Sequence, residues 1–189
     1  MRPLPESKIF DSLLFHDFES GVEFMRAVSK TNCWPSSLRL MDSKQFEFGA
    51  ALKPAPESKW EQFVDKAKSL YVVKVKGFNP EKLAVATMLF EGDASWTQQA
   101  HKRVLGIAKQ YNAMVGGAEN GKRGYLMTFL ITYIRDFSLN YRILSESFEL
   151  SCPWTMVSEL VNRMTSRIER AAASKGFGKD RLWQSYRVT

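Results

Sequence analysis

The chain has 189 residues, of which 44% are hydrophobic and 13% aromatic, and a formal net charge of +7. Such a length suits one domain or a large piece of a longer protein, and the apolar content is enough for a core, which excludes a disordered chain. The charge is moderate and spread along the sequence, so solvated lysine faces account for it and no nucleic-acid partner is expected.

Met1 to Phe10 lacks the apolar run of a signal peptide and carries two prolines, so it reads as an extended connector. Leu13-Leu14-Phe15 is a short apolar run suited to a buried strand. Phe18 to Ser29 follows as a helix, with Ser20 as a candidate cap and Val22, Met25 and Val28 in register. A second strand is expected around Leu38 and Leu40, which share one face and turn Arg39 to the other. Pro54 to Pro56 marks a loop, and Glu57 to Lys68 has the pattern of an amphipathic helix with a solvated charged face. Leu83 to Glu91 is the clearest strand, continuous and apolar between Pro80 and Gly92. A helix over Ala94 to Tyr111 is capped by Asp93 or Ser95. Met114-Val-Gly-Gly is a short extended piece, and Asn120-Gly121 is a turn signal.

From Tyr125 to Ile134 no residue is charged, and ten residues of helix span only about 15 Å, half a bilayer core. The reading is a helix packed inside the domain, with Leu126, Leu130 and Tyr133/Ile134 on its buried side, ending at Arg135. Leu139 to Leu150, rich in strand formers, is expected as a strand. Trp154 to Ala173 is a helix with Val157, Leu160/Val161, Met164, Ile168 and Ala171 on one stripe. Lys175 to Lys179 is a turn, and Trp183 to Thr189 starts another strand. The fold class expected is α+β, a partial ferredoxin-like (split β-α-β) domain with a mixed or antiparallel sheet and helices packed on one face.

Chemical motifs are few. There is no G-x-G-x-x-G, P-loop, G-x-S-x-G or H-E-x-x-H. Two cysteines, Cys33 and Cys152, fit no metal or disulfide spacing, which favours a reducing compartment, and two lone histidines, His16 and His101, assemble no zinc site or triad. Gly116-Gly117 and Gly121 to Gly124 are rich enough in glycine to approach a ligand, although turns also explain them. Arg39 and Arg135 keep their charge at any accessible pH and must reach water, a carboxylate or an anion. Two readings stand: structural ion pairs with acids such as Asp42 or Asp136, or a pair of guanidinium forks on a phosphate or carboxylate. Asp136 itself is a poor partner for Arg135, because adjacent helix positions face apart. Glu146 and Glu149 would face opposite sides of a strand, so only one could enter a site.

Five segments resemble one family. They are S-L-R-L-M-D-S-K-Q-F-E-F-G-A-A-L-K-P (Ser37 to Pro54), A-T-M-L-F-E-G-D (Ala86 to Asp93), E-N-G-K-R-G-Y-L-M-T-F-L-I-T-Y-I-R-D (Glu119 to Asp136), S-E-S-F-E-L-S-C-P-W (Ser145 to Trp154) and Y-R-V-T (Tyr186 to Thr189). In order, they resemble the alkyldihydroxyacetonephosphate synthases, flavoproteins of the vanillyl-alcohol-oxidase type that act in ether-lipid synthesis. The resemblance implies that residues 1–10 connect from an N-terminal flavin domain outside this chain. Residues 11–189 would be the first part of the cap domain that closes over the flavin, truncated at its C-terminal end.

It further implies FAD as cofactor, bound mainly by that other domain, and acyl-dihydroxyacetone phosphate and a fatty alcohol as substrates. Exchange of the acyl chain for the alcohol would be the reaction, with the isolated chain inactive. A homodimer, peripheral membrane association and a peroxisomal location come from the resemblance alone. Arg39 and Arg135 match arginines that such enzymes need, and Glu149 is a weaker candidate for lining the cleft. The family's downstream tyrosine and histidine cluster is absent, and Arg187 receives no role. A self-sufficient basic α+β module that binds an anionic ligand or protein without catalysis is the alternative.

Overall fold

A computed structural model describes residues 4–53, Ser58 and residues 70–189. The loop expected over 54–56 and the helix expected over 57–68 lie outside these residues. Five strands form one sheet in the order β4-β1-β3-β2-β5: β1 (Ser7–Phe15), β2 (Ser37–Met41), β3 (Ala84–Gly92), β4 (Met114–Val115) and β5 (Arg187–Val188). Every neighbouring pair is antiparallel. β3 lies between β1 and β2, with helix α1 (Phe18–Ser29) as their crossover, which is the split β-α-β unit expected from the sequence. Residues 7–10, expected as connector, are already part of β1 and pair with 89–92 of β3.

Strand alternation divides the core. On one face Leu13, Phe15, Leu40, Ala86, Met88 and Phe90 pack against Val22, Phe24, Met25 and Val28 of α1 and Ala100, Val104 and Ala108 of helix α3 (Ala94–Gln110). The period of 3.6 in both helices puts these residues on one stripe, and burying them is worth about 1.5–3 kcal/mol for each large side chain. The side chain of Asp93 caps α3 by accepting from the backbone N–H groups of Ser95 and Trp96 at 2.9 and 3.0 Å. The α1 cap is Asp17, which accepts from Ser20 N at 2.7 Å, so Ser20 is not the cap it was expected to be. Asp17 has the extended backbone an N-cap requires, and Ser20 is already inside the first turn.

Helices lie on both faces, not on one. Helix α4 (Ala118–Leu139) crosses the opposite face, over Ser12 and Thr87. A Cβ on Gly121 would stand 2.3 Å from the Asp11 carbonyl oxygen, and one on Gly124 would stand 2.6 Å from the Thr87 methyl. These two glycines let a helix lie almost against the strands, and Asn120-Gly121 is therefore helix, not turn. Gly117 (φ 89°) begins it, with its carbonyl held by the Ser12 hydroxyl at 2.9 Å. Helix α2 (Ser43–Ala51) flanks the same face and packs Phe46 against the smaller cluster of Leu14, Leu83, Val85 and Phe78.

Two further expectations fail. The Leu126, Leu130 and Tyr133 stripe is not buried: these residues and Phe137 are 47%, 48%, 73% and 61% exposed, because α4 runs past the sheet. The expected strand over Leu139–Leu150 is absent. Ser138 accepts the backbone N–H of Ile143 and donates its hydroxyl to the Ile143 carbonyl at 3.0 Å, while Arg142 takes φ 58° and reverses the chain. Beyond it, a 3-10 turn (Trp154–Met156) leads into helix α5 (Val157–Ser174), whose Val157 reaches the first core.

Candidate functional site: an arginine pocket between α4, α2 and the sheet

Where α4 leaves the sheet, a cavity of about 50 Å³ opens between it, α2 and the ends of β2 and β5. One water needs roughly 10–15 Å³ of such space, so a small polyatomic ion fits. Strand alternation sends Arg39 here, because its neighbours Leu38 and Leu40 are in the core on the other face. Antiparallel pairing places Arg187 of β5 opposite Met41 on the same side. Arg123 comes from the first half of α4. Thr87 and Val85 form part of the floor, and Phe46, Met127 and Ile131 are apolar walls.

Among the described residues the partners of Arg39 and Arg123 are neutral. Arg39 Nη1 donates to the Thr128 hydroxyl, and its Cζ lies 5.8 Å from the centroid of the Tyr125 ring. Arg123 Nη2 donates to the Asn120 side-chain oxygen at 2.8 Å. Among the described residues no Asp or Glu lines the cavity, and none of the three arginines is in an ion pair. Burial, and after it the charge of Arg187, lower the pKa of Arg39 from its ordinary value. The nearby Asp42 caps α2, accepting from Gln45 N at 2.9 Å, and burial pushes its carboxyl up to about 6.

The three residues singled out in the sequence stand apart. Arg39 is in the pocket. Arg135 is on the same helical stripe as Thr128 and Ile131, one turn beyond the pocket's lip. Its side chain is 51% exposed, and its Nε is 3.9 Å from Asp136 Oδ1, the neighbour thought to face away. A contact that long between two exposed groups contributes little. Glu149 is exposed, in the irregular segment after α4, and makes no ion pair among the described residues.

Sequence reading missed Arg123 and Arg187 as pocket residues. Gly121 and Gly124, three apart, were the available signal, since small residues at helical spacing mark a helix face pressed on its neighbour and fix the side Arg123 borders. It also missed a pair 90 residues apart, in which His101 Nε2 of α3 lies 2.7 Å from Oδ2 of the buried Asp11 of β1. Among the described residues there is no cluster of metal-ligating side chains, and no helix is long and apolar enough to cross a membrane.

The family model for FAD linked oxidases, C-terminal domain, matches residues 4–179. An alkyldihydroxyacetonephosphate synthase of Caenorhabditis elegans is 42% identical over 174 residues, 92% of this chain and 29% of that protein. A synthase of the same name from Trypanosoma brucei brucei is 26% identical over 154 residues, 80% of this chain and 25% of its own length. Two solved structures of alkyldihydroxyacetonephosphate synthase superpose with TM-scores of 0.79 and 0.77. Each is 19% identical, over 93% of this chain and 32% of that one, a likeness of fold. The chain thus spans under a third of the relatives it matches.

Proposed function

The chain belongs to the family of FAD-linked oxidases, C-terminal domain, and we propose that it is the cap-domain portion of an alkyldihydroxyacetonephosphate synthase. The observation that carries the proposal is 42% identity across 92% of the chain to a protein of that name. In this reading the complete enzyme exchanges the acyl chain of acyl-dihydroxyacetone phosphate for a fatty alcohol. Its cap would begin with β1 at Ser7 and run to residue 189, with the residues before it leading in from a flavin-binding part.

The arginine pocket is far too small for a dinucleotide, and the sequence has no glycine-rich dinucleotide motif. In this reading FAD is bound mainly by sequence outside this chain, and when bound it would supply the chemistry of the exchange. What this chain offers is a permanently charged, partly apolar surface along α4. Arg39 in the pocket and Arg135 one turn beyond its lip are each proposed to meet an anionic part of the substrate, and the exposed apolar stripe of Leu126, Leu130, Tyr133 and Phe137 suits contact with other apolar groups of the complete enzyme. Glu149 is proposed as a lesser contact. A peroxisomal location, a homodimer and peripheral membrane attachment belong to the same proposal. By itself the chain would be inactive.

The test is a replacement. The 174 matched residues of the Caenorhabditis elegans relative are exchanged for this chain, and formation of alkyl-dihydroxyacetone phosphate is measured beside FAD content. Turnover within about tenfold of the parent enzyme supports the reading, that margin being roughly 1.4 kcal/mol of barrier. A hybrid that folds and holds FAD yet makes no product overturns it.

A further inference from the structure

We propose that the cavity walled by Arg39, Arg123 and Arg187 is a binding site for a phosphate dianion, either inorganic phosphate or the head of a phosphate monoester. The inference rests on the pocket and not on the enzyme reading above.

Three cations from three separate elements, β2, α4 and β5, border one small space. A guanidinium has five donors and never loses its proton in a protein. The donors accounted for are one from Arg39, to Thr128, and one from Arg123, to Asn120. Both acceptors are neutral, so neither offsets the charge. Arg187 is felt at Arg39 as a repulsion, and no carboxylate among the described residues stands between them. An arrangement of like charges held by packing is unfavourable alone and favourable around an anion.

The choice of anion follows from count and shape. Three forks match a group with several terminal oxygens and two negative charges, whereas a carboxylate offers two oxygens and one charge. Thr87, 5% exposed, borders the same space, and its hydroxyl is a candidate neutral donor. Phe46, Val85 and Ile131 reduce the water around it, which strengthens each charged hydrogen bond. Structural ion pairing within the described residues does not account for the cluster, because no acid among them lines the cavity.

The experiment is calorimetric titration of the full chain with inorganic phosphate in a low-salt chloride buffer near pH 7.5. Saturable binding of one phosphate per chain is expected, weakened about tenfold or more by Arg123→Gln or Arg187→Gln, as loss of a charge-assisted contact requires. Arg163→Gln, on the exposed side of α5, should leave binding unchanged. Melting temperature gives a second readout: phosphate should raise it in the parent and not in the double variant. Methyl phosphate separates the sources. Tighter binding of the monoester than of phosphate identifies a substrate headgroup, and equal or weaker binding identifies free phosphate. No saturable binding, or binding indifferent to Arg123 and Arg187, overturns the site. If phosphate binds through these arginines while the hybrid enzyme stays inactive, the site stands and the enzyme reading falls.

Discussion

Gly121 decides whether α4 can lie on the sheet, and a methyl group there is enough to change the answer. A Cβ would meet the oxygen, carbon and nitrogen of Asp11 at 2.3, 2.6 and 2.7 Å, all backbone atoms of a central strand that cannot turn aside. Gly121→Ala should therefore lower stability by about 1–3 kcal/mol in spite of alanine's better helix propensity. Gly106→Ala, in α3, meets nothing within 4 Å and should raise stability by up to about 1 kcal/mol. Urea unfolding of the two variants checks the pair, and equal effects would contradict the close approach. Asp42 gives a second residue-scale prediction. Burial raises its folded pKa from 3.8 to about 6, so the folded state holds the proton more tightly than the unfolded chain does. Its contribution is present below pH 3.8 and is lost as pH rises through 6. Asp42→Asn keeps an N-cap oxygen and removes the titration. The variant should gain on the parent between pH 4 and 7, by at most about 3 kcal/mol. A difference independent of pH would show that the carboxyl is not desolvated.

At the scale of elements, α4 has two halves with different roles. The first is fixed by Gly121 and Gly124 and carries Arg123. The second projects, with Leu130, Tyr133 and Phe137 facing water. Exposed apolar stripes of this kind mark contact surfaces. The isolated chain should self-associate through it, and changing Leu130, Tyr133 and Phe137 together to Gln should reduce that association without lowering the melting temperature. Sedimentation velocity and thermal melting decide this, and association unaltered by the three changes would place the contact elsewhere. β1, β2, β3, α1 and α3 were legible because each packs on a core whose period is written in the chain, while α5 kept its helical period with only Val157 buried. β3, continuous and apolar, is buried as its sequence indicated. α4 was legible as a helix and illegible in its burial, since an apolar stripe looks the same whether its cover lies in this chain or beyond it. Residues 139–150 read as strand because their composition suits one, yet the left-handed Arg142 and the Ser138 hydroxyl turn them away.

For the molecule as a whole, the split β-α-β order and the antiparallel sheet followed from the succession of short strands and helices. The covering of both faces did not, because Gly121-Lys-Arg-Gly124 looks like a turn until its close packing is seen. Of the site, Arg39 could be aimed from strand alternation. Arg187 could not, since a two-residue edge strand carries too little pattern to set a register. Under the proposed function this chain would hold no FAD by itself. Purified alone, it should show no flavin absorbance and no stoichiometric FAD, and a yellow protein with one FAD per chain would contradict that. The central claim is that this chain supplies the substrate side of an active site. Its most direct test is the turnover of acyl-dihydroxyacetone phosphate by the hybrid enzyme carrying Arg135→Lys. Lysine keeps the charge and loses the two-pronged contact. If Arg135 holds an anionic part of the substrate, turnover should fall by about 2–4 kcal/mol of barrier, roughly 30- to 1000-fold, with FAD content and melting temperature unchanged. Turnover close to that of the unsubstituted hybrid, or a loss that only follows unfolding, would contradict the claim.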